Sequence, residues 1–151
     1  MFDKINPYEP VSDEEYRERA RRLGLMLTLR PERHYQADWA HPRAENECGT
    51  AACVAGWATL WADGVVSIDA EGTMAWDIAD MFEGTLAESG RDNLWTVASY
   101  FGREFLGLDD ENAHALFYRT SDKMARDVLA KLGSGELDPG DVNEYVEEYE
   151  D

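Results

Sequence analysis

Apolar residues recur at helical spacing along much of the chain, in segments separated by turn-forming residues. The first segment covers residues 13–27 and follows Ser12, a residue type that caps helix starts. Its apolar face is formed by Tyr16, Ala20, Leu23 and Leu27. The other face carries the early acids and Arg17, Arg19, Arg21 and Arg22. We predict an amphipathic helix whose solvated face pairs these arginines with Glu14, Glu15 and Glu18, rather than a catalytic carboxylate cluster.

Residues 50–62 predict a second helix that has no face suited to water. Thr50 is a residue type that caps helices, and apolar or small side chains follow on every side as far as Ala62. Asp63 and Gly64 then end the segment. We therefore place this helix at the centre of the fold.

Residues 65–76 predict a β-hairpin. Two short β-rich runs, 65–68 and 73–76, flank a turn that contains Gly72. A lone hairpin is marginally stable, so we expect this one to pack on the helices. Residues 77–82 follow with the spacing of one more short helical turn.

The pattern of the C-terminal half predicts a series of helices with clear start and stop signals. A helical pattern runs from about residue 93 and stops at Gly107. Asp109 and Ser121 are placed to cap the next two helices. The second of these ends at the glycines of residues 133–135, and a turn leads to a last helix near Val142.

Composition supports one folded domain. The chain has 151 residues, of which 44% are hydrophobic and 11% aromatic. Disordered acidic chains are poor in aromatic residues, and a chain of this length buries roughly 68–70% of its extended surface on folding. We predict a single acidic helical domain over residues 1–151: mainly α, a compact bundle around the buried central helix at about 50–62, with one small hairpin at about 65–76.

The sequence indicates a cytoplasmic protein that does not enter a membrane. The start lacks a basic segment followed by an apolar one, the signature of a secretory signal. The longest largely apolar run, 51–62, is shorter than the roughly 20 residues that a membrane helix needs. In that compartment we expect Cys48 and Cys53 to be reduced.

Acidic residues are concentrated in two segments. The chain holds 32 acids against 14 Lys and Arg, a formal net charge of −18. Residues 69–92 have a net charge of −6 and residues 136–151 a net charge of −8. We take the acids of these segments as candidate partner-binding residues: Asp69, Glu71, Asp77, Asp80, Glu83, Glu88, Asp92, Glu136, Asp138, Asp141, Glu144, Glu147 and Glu148.

This charge predicts a protein partner with a basic surface. Direct nucleic-acid binding is disfavoured, because it needs clustered Lys and Arg that displace counterions from phosphates. Carboxylates can instead occupy a basic site that normally holds nucleic acid, and complementary charge speeds association and suppresses wrong partners. Ordinary solubility is the alternative explanation of the same charge. No phosphate-cradling glycine loop is present, and we predict no cofactor.

The most specific local feature is the segment Cys48-Gly-Thr-Ala-Ala-Cys53-Val-Ala-Gly-Trp-Ala58. It resembles a group of small uncharacterised proteins of actinobacteria and their phages that share Cys-Gly-Thr-x-x-Cys-x-Ala-Gly-Trp-Ala. Residues 106–108, Leu-Gly-Leu, and 113–117, Ala-x-x-Leu-Phe, resemble a second element of that group. The resemblance implies a helical fold and a phage or mobile-element origin, and it implies no activity.

The two cysteines are candidates for a nucleophile. Helix N-termini stabilise anions, so a thiol near the start of the central helix is expected to be more acidic than usual. A Cys-Gly pair at that place also resembles papain-like peptidases, which place a His base downstream of the cysteine. Here His34 and His41 lie upstream, and His114 lies in a predicted helix. The alternative is that Cys48 and Cys53 are small buried hydrophobic residues.

His34, His41, Cys48 and Cys53 are also the ligand types of a structural zinc site. Their spacing is His-x6-His-x6-Cys-x4-Cys, without the close pair that forms a zinc knuckle. The competing interpretation places His34 in a solvent-facing loop and His41 as an anchor before Pro42.

Taken together, these features predict a non-enzymatic acidic interaction or inhibitor protein, phage-derived, that binds a basic surface of a host protein. The alternatives are a cysteine-dependent enzyme centred on Cys48 and Cys53, and a zinc-stabilised scaffold.

Overall fold

The computed structural model describes residues 3–31, 41–42, 50–51, 54–62, 64, 66–76 and 100–149. Its helices are α1 (Asp13–Leu29), α2 (Val54–Ala62), α3 (residues 100–106), α4 (Asp110–Tyr118), α5 (Asp122–Ser134) and α6 (Val142–Glu148), with a 3-10 turn at Pro139–Asp141. Two antiparallel strand pairs join β1 (His41–Pro42) to β2 (Thr50–Ala51) and β3 (Val66–Ile68) to β4 (Met74–Trp76). The prediction of a mainly helical fold is confirmed.

The centre of the fold is α2. All nine of its residues are buried, and Trp57 and Leu60 have no exposed surface. One continuous hydrophobic core joins α2 to α1, β3 and the four C-terminal helices. Where α2 meets α3, the rings of Trp61 and Phe105 pack edge to face with their centroids 5.1 Å apart. The predicted buried central helix is therefore confirmed.

The start of the central helix differs from the sequence prediction. The helix begins at Val54, and Thr50 lies in β2, where it pairs with Pro42 of β1. A residue in a strand pair four positions upstream cannot supply the side-chain acceptor for the first helical turn. The prediction that Thr50 caps this helix is wrong, because the chain first folds back in an extended pair.

The predicted hairpin forms and packs on α1. Val66 pairs with Trp76 and Ile68 pairs with Met74. In the turn between them, Gly72 has a φ of 82° and approaches α1 so closely that a Cβ there would lie 2.6 Å from the Leu25 Cβ. Glycine is therefore required at this position both by its backbone conformation and by space. The short helical turn predicted at 77–82 lies outside the described residues.

Glycines also set the distance between α1 and α5. A Cβ placed on Gly24 would lie 3.1 Å from the Leu129 Cβ. A Cβ on Gly133 would lie 2.7 Å from both the Cα and the Cβ of Arg21. The backbones of the two helices thus approach each other at two points, about one helical turn apart.

The predicted helix caps are present. The side chains of Ser12, Asp109 and Ser121 accept hydrogen bonds from the backbone N–H three residues later. Helix α3 stops before Gly107, and α5 ends at Gly135 in the left-handed conformation. These local signals confirm the predicted starts of α1, α4 and α5 and the predicted ends of α3 and α5. The helix start predicted near residue 93 lies outside the described residues.

We expect Ser121→Ala to lower the free energy of unfolding by about 1 kcal/mol, the usual contribution of a helix N-cap. The Ser121 Oγ accepts the Met124 N–H at 3.2 Å, and alanine leaves that donor without its partner. Ser121→Asp keeps an acceptor and is the matched control. Urea unfolding of both variants tests this, and an equal loss in the two would show that the cap hydrogen bond is not the cause.

One arginine of α1 is buried, contrary to the prediction that all four face solvent. The Arg19 side chain is 5% exposed. Its guanidinium stacks on the Phe105 ring at 4.4 Å, and its Nη1 donates a 2.9 Å hydrogen bond to the Phe105 carbonyl oxygen. That carbonyl belongs to the last turn of α3, where the helix dipole favours a cation. Arg19 therefore fixes α3 against α1.

The exposed part of α1 has the predicted ion pairs. Glu18 accepts hydrogen bonds from Arg21 at 2.6 Å and from Arg22 at 2.9 Å. The hydrogen bond from Arg21 is the largest cause that lowers the pKa of Glu18, from 4.5 to about 2. Arg19 Nε lies 3.8 Å from the Glu15 carboxylate. This face is a network of charges within one helix.

The lowered pKa of Glu18 predicts a pH dependence of stability. Because the folded-state pKa lies below the unfolded value, the ionised pair stabilises the fold above about pH 4.5, and this contribution is lost as the pH falls toward 2. We expect the stability difference between the unmodified protein and Glu18→Gln to shrink over that range. Urea unfolding at several pH values measures it, and a difference that does not change with pH would contradict this explanation.

Candidate interaction surface

The candidate cysteine and zinc residues lie almost entirely outside the described residues. His34, Cys48 and Cys53 are not described, and His41 is described only as a backbone position in β1, opposite Ala51 of β2. Within the described part of the chain, no group of three or more His, Cys, Asp or Glu side chains could hold a metal ion. The nucleophile and zinc hypotheses therefore stay predictions.

The zinc hypothesis has a direct test. We expect the double variant Cys48→Ala/Cys53→Ala to keep the helical circular dichroism spectrum, since small buried cysteines tolerate replacement by alanine better than metal ligands do. Protein purified without a His tag or chelator should contain no stoichiometric zinc. One zinc per chain, lost in the double variant together with the fold, would instead favour the zinc-stabilised scaffold.

In the first acidic segment, only the hairpin acids are described. The Asp69 carboxylate accepts the backbone N–H groups of Glu71 and Thr73 at 3.0 and 2.9 Å, so it holds the turn together. Glu71 is exposed and lies near Arg21 of α1, whose pKa is raised mainly by its hydrogen bond to Glu18 and also by Glu71. The other predicted acids of this segment, Asp77, Asp80, Glu83, Glu88 and Asp92, lie outside the described residues.

In the second acidic segment, two of the predicted acids are neutralised by neighbouring bases. Glu136 pairs with Lys131 at 3.1 Å, just after the end of α5. Glu147 lies 3.7 Å from Arg119, which follows α4. Both pairs are largely solvent-exposed, so each contributes at most about 1 kcal/mol to stability.

The remaining acids of the segment form an unpaired group. Within the described residues, the side chains of Asp138, Asp141, Glu144 and Glu148 are exposed and make no hydrogen bond or ion pair. Three of them continue a helical spacing of three and four residues, which places them within about 60° of arc on one face of α6 and its cap. We call these three, Asp141, Glu144 and Glu148, the acidic stripe.

The acidic stripe is held on a firmly packed helix. Val142 and Val146 on the opposite side of α6 are buried in the core. At the start of α6, the Asn143 N–H donates to the Oδ1 of the buried Asn112 at 2.8 Å. The Asn112 Nδ2 in turn donates to Asp109, the cap of α4, at 2.8 Å. The stripe therefore rests on a rigid support.

Tyrosine side chains fix the C-terminal end of α6. The Tyr149 hydroxyl hydrogen-bonds to Asp127 of α5 and accepts a 3.2 Å hydrogen bond from Lys123. The hydrogen bond to Asp127 is the largest cause that raises the pKa of Tyr149. The Tyr145 and Tyr149 rings pack edge to face at 5.7 Å. The hydrogen bonds Tyr149–Asp127 and Asn143–Asn112 could not be predicted from the sequence, because each joins residues more than 20 positions apart.

Asp141 and Glu144 lie at the N-terminal end of α6, where the helix dipole favours acids, whereas Glu148 lies in the last turn, against that preference. A helix C-terminus favours cations, and like charges four residues apart repel. The last turn of α6 has no basic residue, and Glu144 and Glu148 are four residues apart on its exposed face. Features that oppose local stability are expected at functional sites.

The two acidic segments rest on different helices. Asp69 and Glu71 lie beside α1, to which the hairpin turn is packed. The stripe belongs to α6, which packs against α4. We therefore restrict the candidate interaction surface to the second segment.

Comparisons with protein-family models, curated proteins and solved structures gave no match to this chain. Among the described residues, no helix is long and apolar enough to cross a membrane. Any function must therefore be argued from the chemistry of the surface itself.

Proposed function

We propose that this chain is a non-enzymatic interaction protein that uses the acidic stripe of α6 to bind a basic surface of another protein. The observation that carries the proposal is the row of three exposed carboxylates, without partners among the described residues, on a helix whose other side is buried in the core. Three aligned negative charges on a rigid support match a row of Lys or Arg side chains at little cost in conformational entropy.

The spacing of the stripe favours a short basic row over a nucleic-acid site. Asp141 and Glu148 are separated by about 10 Å along the helix axis, or one charge per about 5 Å. One strand of B-DNA carries one phosphate per about 3.4 Å of axis. The carboxylates of the stripe are spaced more widely than the phosphates of a DNA strand, so a basic helix or a small basic patch is the better-matched partner. Mimicry of nucleic acid would be limited to a few phosphates.

The charges contribute selectivity more than total affinity. Each exposed ion pair is worth roughly 0.2–1 kcal/mol, so three pairs supply at most about 3 kcal/mol. A micromolar complex needs about 8 kcal/mol. The partner must therefore also make an apolar contact close to the stripe.

We place the protein in the cytoplasm and propose that it acts as a phage-derived inhibitor of a host factor. The resemblance of residues 48–58 to proteins of actinobacteria and their phages supports this origin. Complementary charge would let such a protein reach a basic host surface quickly and compete with its normal ligand.

The proposal is tested by differential capture from an actinobacterial lysate, followed by mass spectrometry. The baits are the unmodified protein and the triple variant Asp141→Asn/Glu144→Gln/Glu148→Gln, each at about 50 mM and about 300 mM salt. We expect one or a few basic proteins that the unmodified bait captures at low salt and that the triple variant loses. Equal capture by both baits would overturn the proposal.

A further inference from the structure

A small cavity lies beside the start of the acidic stripe. Its volume is about 180 Å³, and it opens where α1, the end of α3, the end of α5 and the 3-10 turn meet. The floor is mostly apolar and is formed by Tyr16, Ala20, Leu106, Gly107, Leu132 and Pro139. Pro139 is two positions before Asp141, so the cavity and the acidic stripe are adjacent in the sequence.

Charged side chains surround the opening of the cavity. Asp13 and Asp138 supply two carboxylates, and Arg17 supplies one guanidinium. Within the described residues, none of these three side chains makes a hydrogen bond or ion pair. The opening therefore carries a net negative charge that its own side chains do not compensate.

We propose that this cavity receives one apolar side chain of the same basic partner, of about leucine size, while a Lys or Arg next to it in the partner meets Asp13 and Asp138. This inference rests on the proposed function, and it supplies the apolar contact that the stripe lacks. Charge complementarity selects the occupant, since two unpaired carboxylates beside an apolar floor fit an apolar residue with a basic neighbour.

The charges that line the cavity predict the direction in which charge substitutions change the affinity. A guanidinium at the opening repels a basic partner, whereas the two carboxylates attract it. Removing the positive charge and removing the negative charges should therefore change the affinity in opposite directions. A basic peptide that binds an acidic protein only through net charge would respond to these charge changes in the same way, but it would bind equally well with Leu or with Ala at its centre.

The test uses two synthetic peptides with the same charge, acetyl-Gly-Lys-Leu-Lys-Gly-amide and the same peptide with Ala in place of Leu. Binding to the isotope-labelled full chain is followed by the NMR shifts of backbone amides. We expect the Leu peptide to shift the amides of Ala20, Gly107 and Leu132 and to bind about fiftyfold more tightly, since it buries roughly three more carbons. Asp13→Asn/Asp138→Asn should weaken this binding several-fold, and Arg17→Gln should strengthen it.

The outcomes separate this inference from the proposed function. Equal binding of the two peptides, with shifts confined to residues 141–148, would overturn the cavity proposal and leave the proposed function standing. Shifts at the cavity that do not respond to either charge variant would also overturn it. If neither peptide shifts any amide at millimolar concentration, the cavity proposal fails, and the lysate capture decides the proposed function separately.

Discussion

Gly133→Ala is expected to lower the free energy of unfolding by about 2 kcal/mol, although alanine is the better helix former. Gly133 lies in the last turns of α5, and a Cβ there would stand 2.7 Å from the Cα and the Cβ of Arg21. One of these neighbours is backbone and cannot rotate away, so α1 and α5 must separate. For a domain of this size we expect the Tm to fall by about 4–8 °C.

Gly140→Ala is the matched control. Gly140 lies in the exposed 3-10 turn, and a Cβ there would meet no atom within 4 Å. The same chemical change should therefore alter the stability by less than about 0.5 kcal/mol. Thermal and urea unfolding compare the two variants, and an equal effect at both sites would show that α1 and α5 do not approach each other this closely.

The triple variant Asp141→Asn/Glu144→Gln/Glu148→Gln is expected to weaken binding to the captured partner by about tenfold or more. Three exposed ion pairs of roughly 0.5 kcal/mol each correspond to that factor. The fold should not suffer, since the three side chains make no hydrogen bond or ion pair within the described residues. Isothermal titration calorimetry measures the affinity, and thermal unfolding measures the stability.

A second triple variant with the same change in net charge is the control for this experiment. Asp3→Asn/Glu9→Gln/Glu14→Gln removes three exposed acids near the N-terminus. We expect it to weaken binding by less than about threefold, through the long-range field alone. If both triple variants weaken binding equally, total charge and not the stripe determines the interaction.

Features encoded by neighbouring residues could be predicted from the sequence. Ser12, Asp109 and Ser121 cap helices through hydrogen bonds to residues only three positions away, and the glycines that end α3 and α5 act through their own φ angles. The uniformly apolar character of α2 likewise required its burial. Because these signals act between neighbouring residues, a single sequence is enough to predict them.

Features that depend on distant residues could not be predicted. Arg19 lies three residues after Tyr16 and four before Leu23, so helical spacing places it beside the apolar face, and only its charge argued for solvent. Its burial depends on Phe105, 86 residues further along the chain. Thr50 is a residue type that suits both a helix cap and a strand, and its pairing with Pro42 decides between them. Local propensity gives way to tertiary contacts in both cases.

The candidate interaction surface, too, could be predicted from the sequence only in part. The sequence shows that residues 136–151 are rich in acids, but it does not distinguish paired acids from unpaired ones. The structure separates Glu136 and Glu147, which are paired with bases, from the stripe, which has no partners within the described residues. The cavity beside the stripe is lined by side chains of four separate elements, so no local sequence pattern predicts it.

The central claim, that the stripe on α6 is the binding surface, is tested most directly by zero-length carbodiimide cross-linking of the captured complex. This reaction joins a carboxylate to a lysine amine only when the two are in contact, and mass spectrometry identifies the joined residues. We predict cross-links from Asp141, Glu144 or Glu148 to lysines of the partner. Cross-links only from other acids, such as Glu14 or Glu71, would contradict the claim.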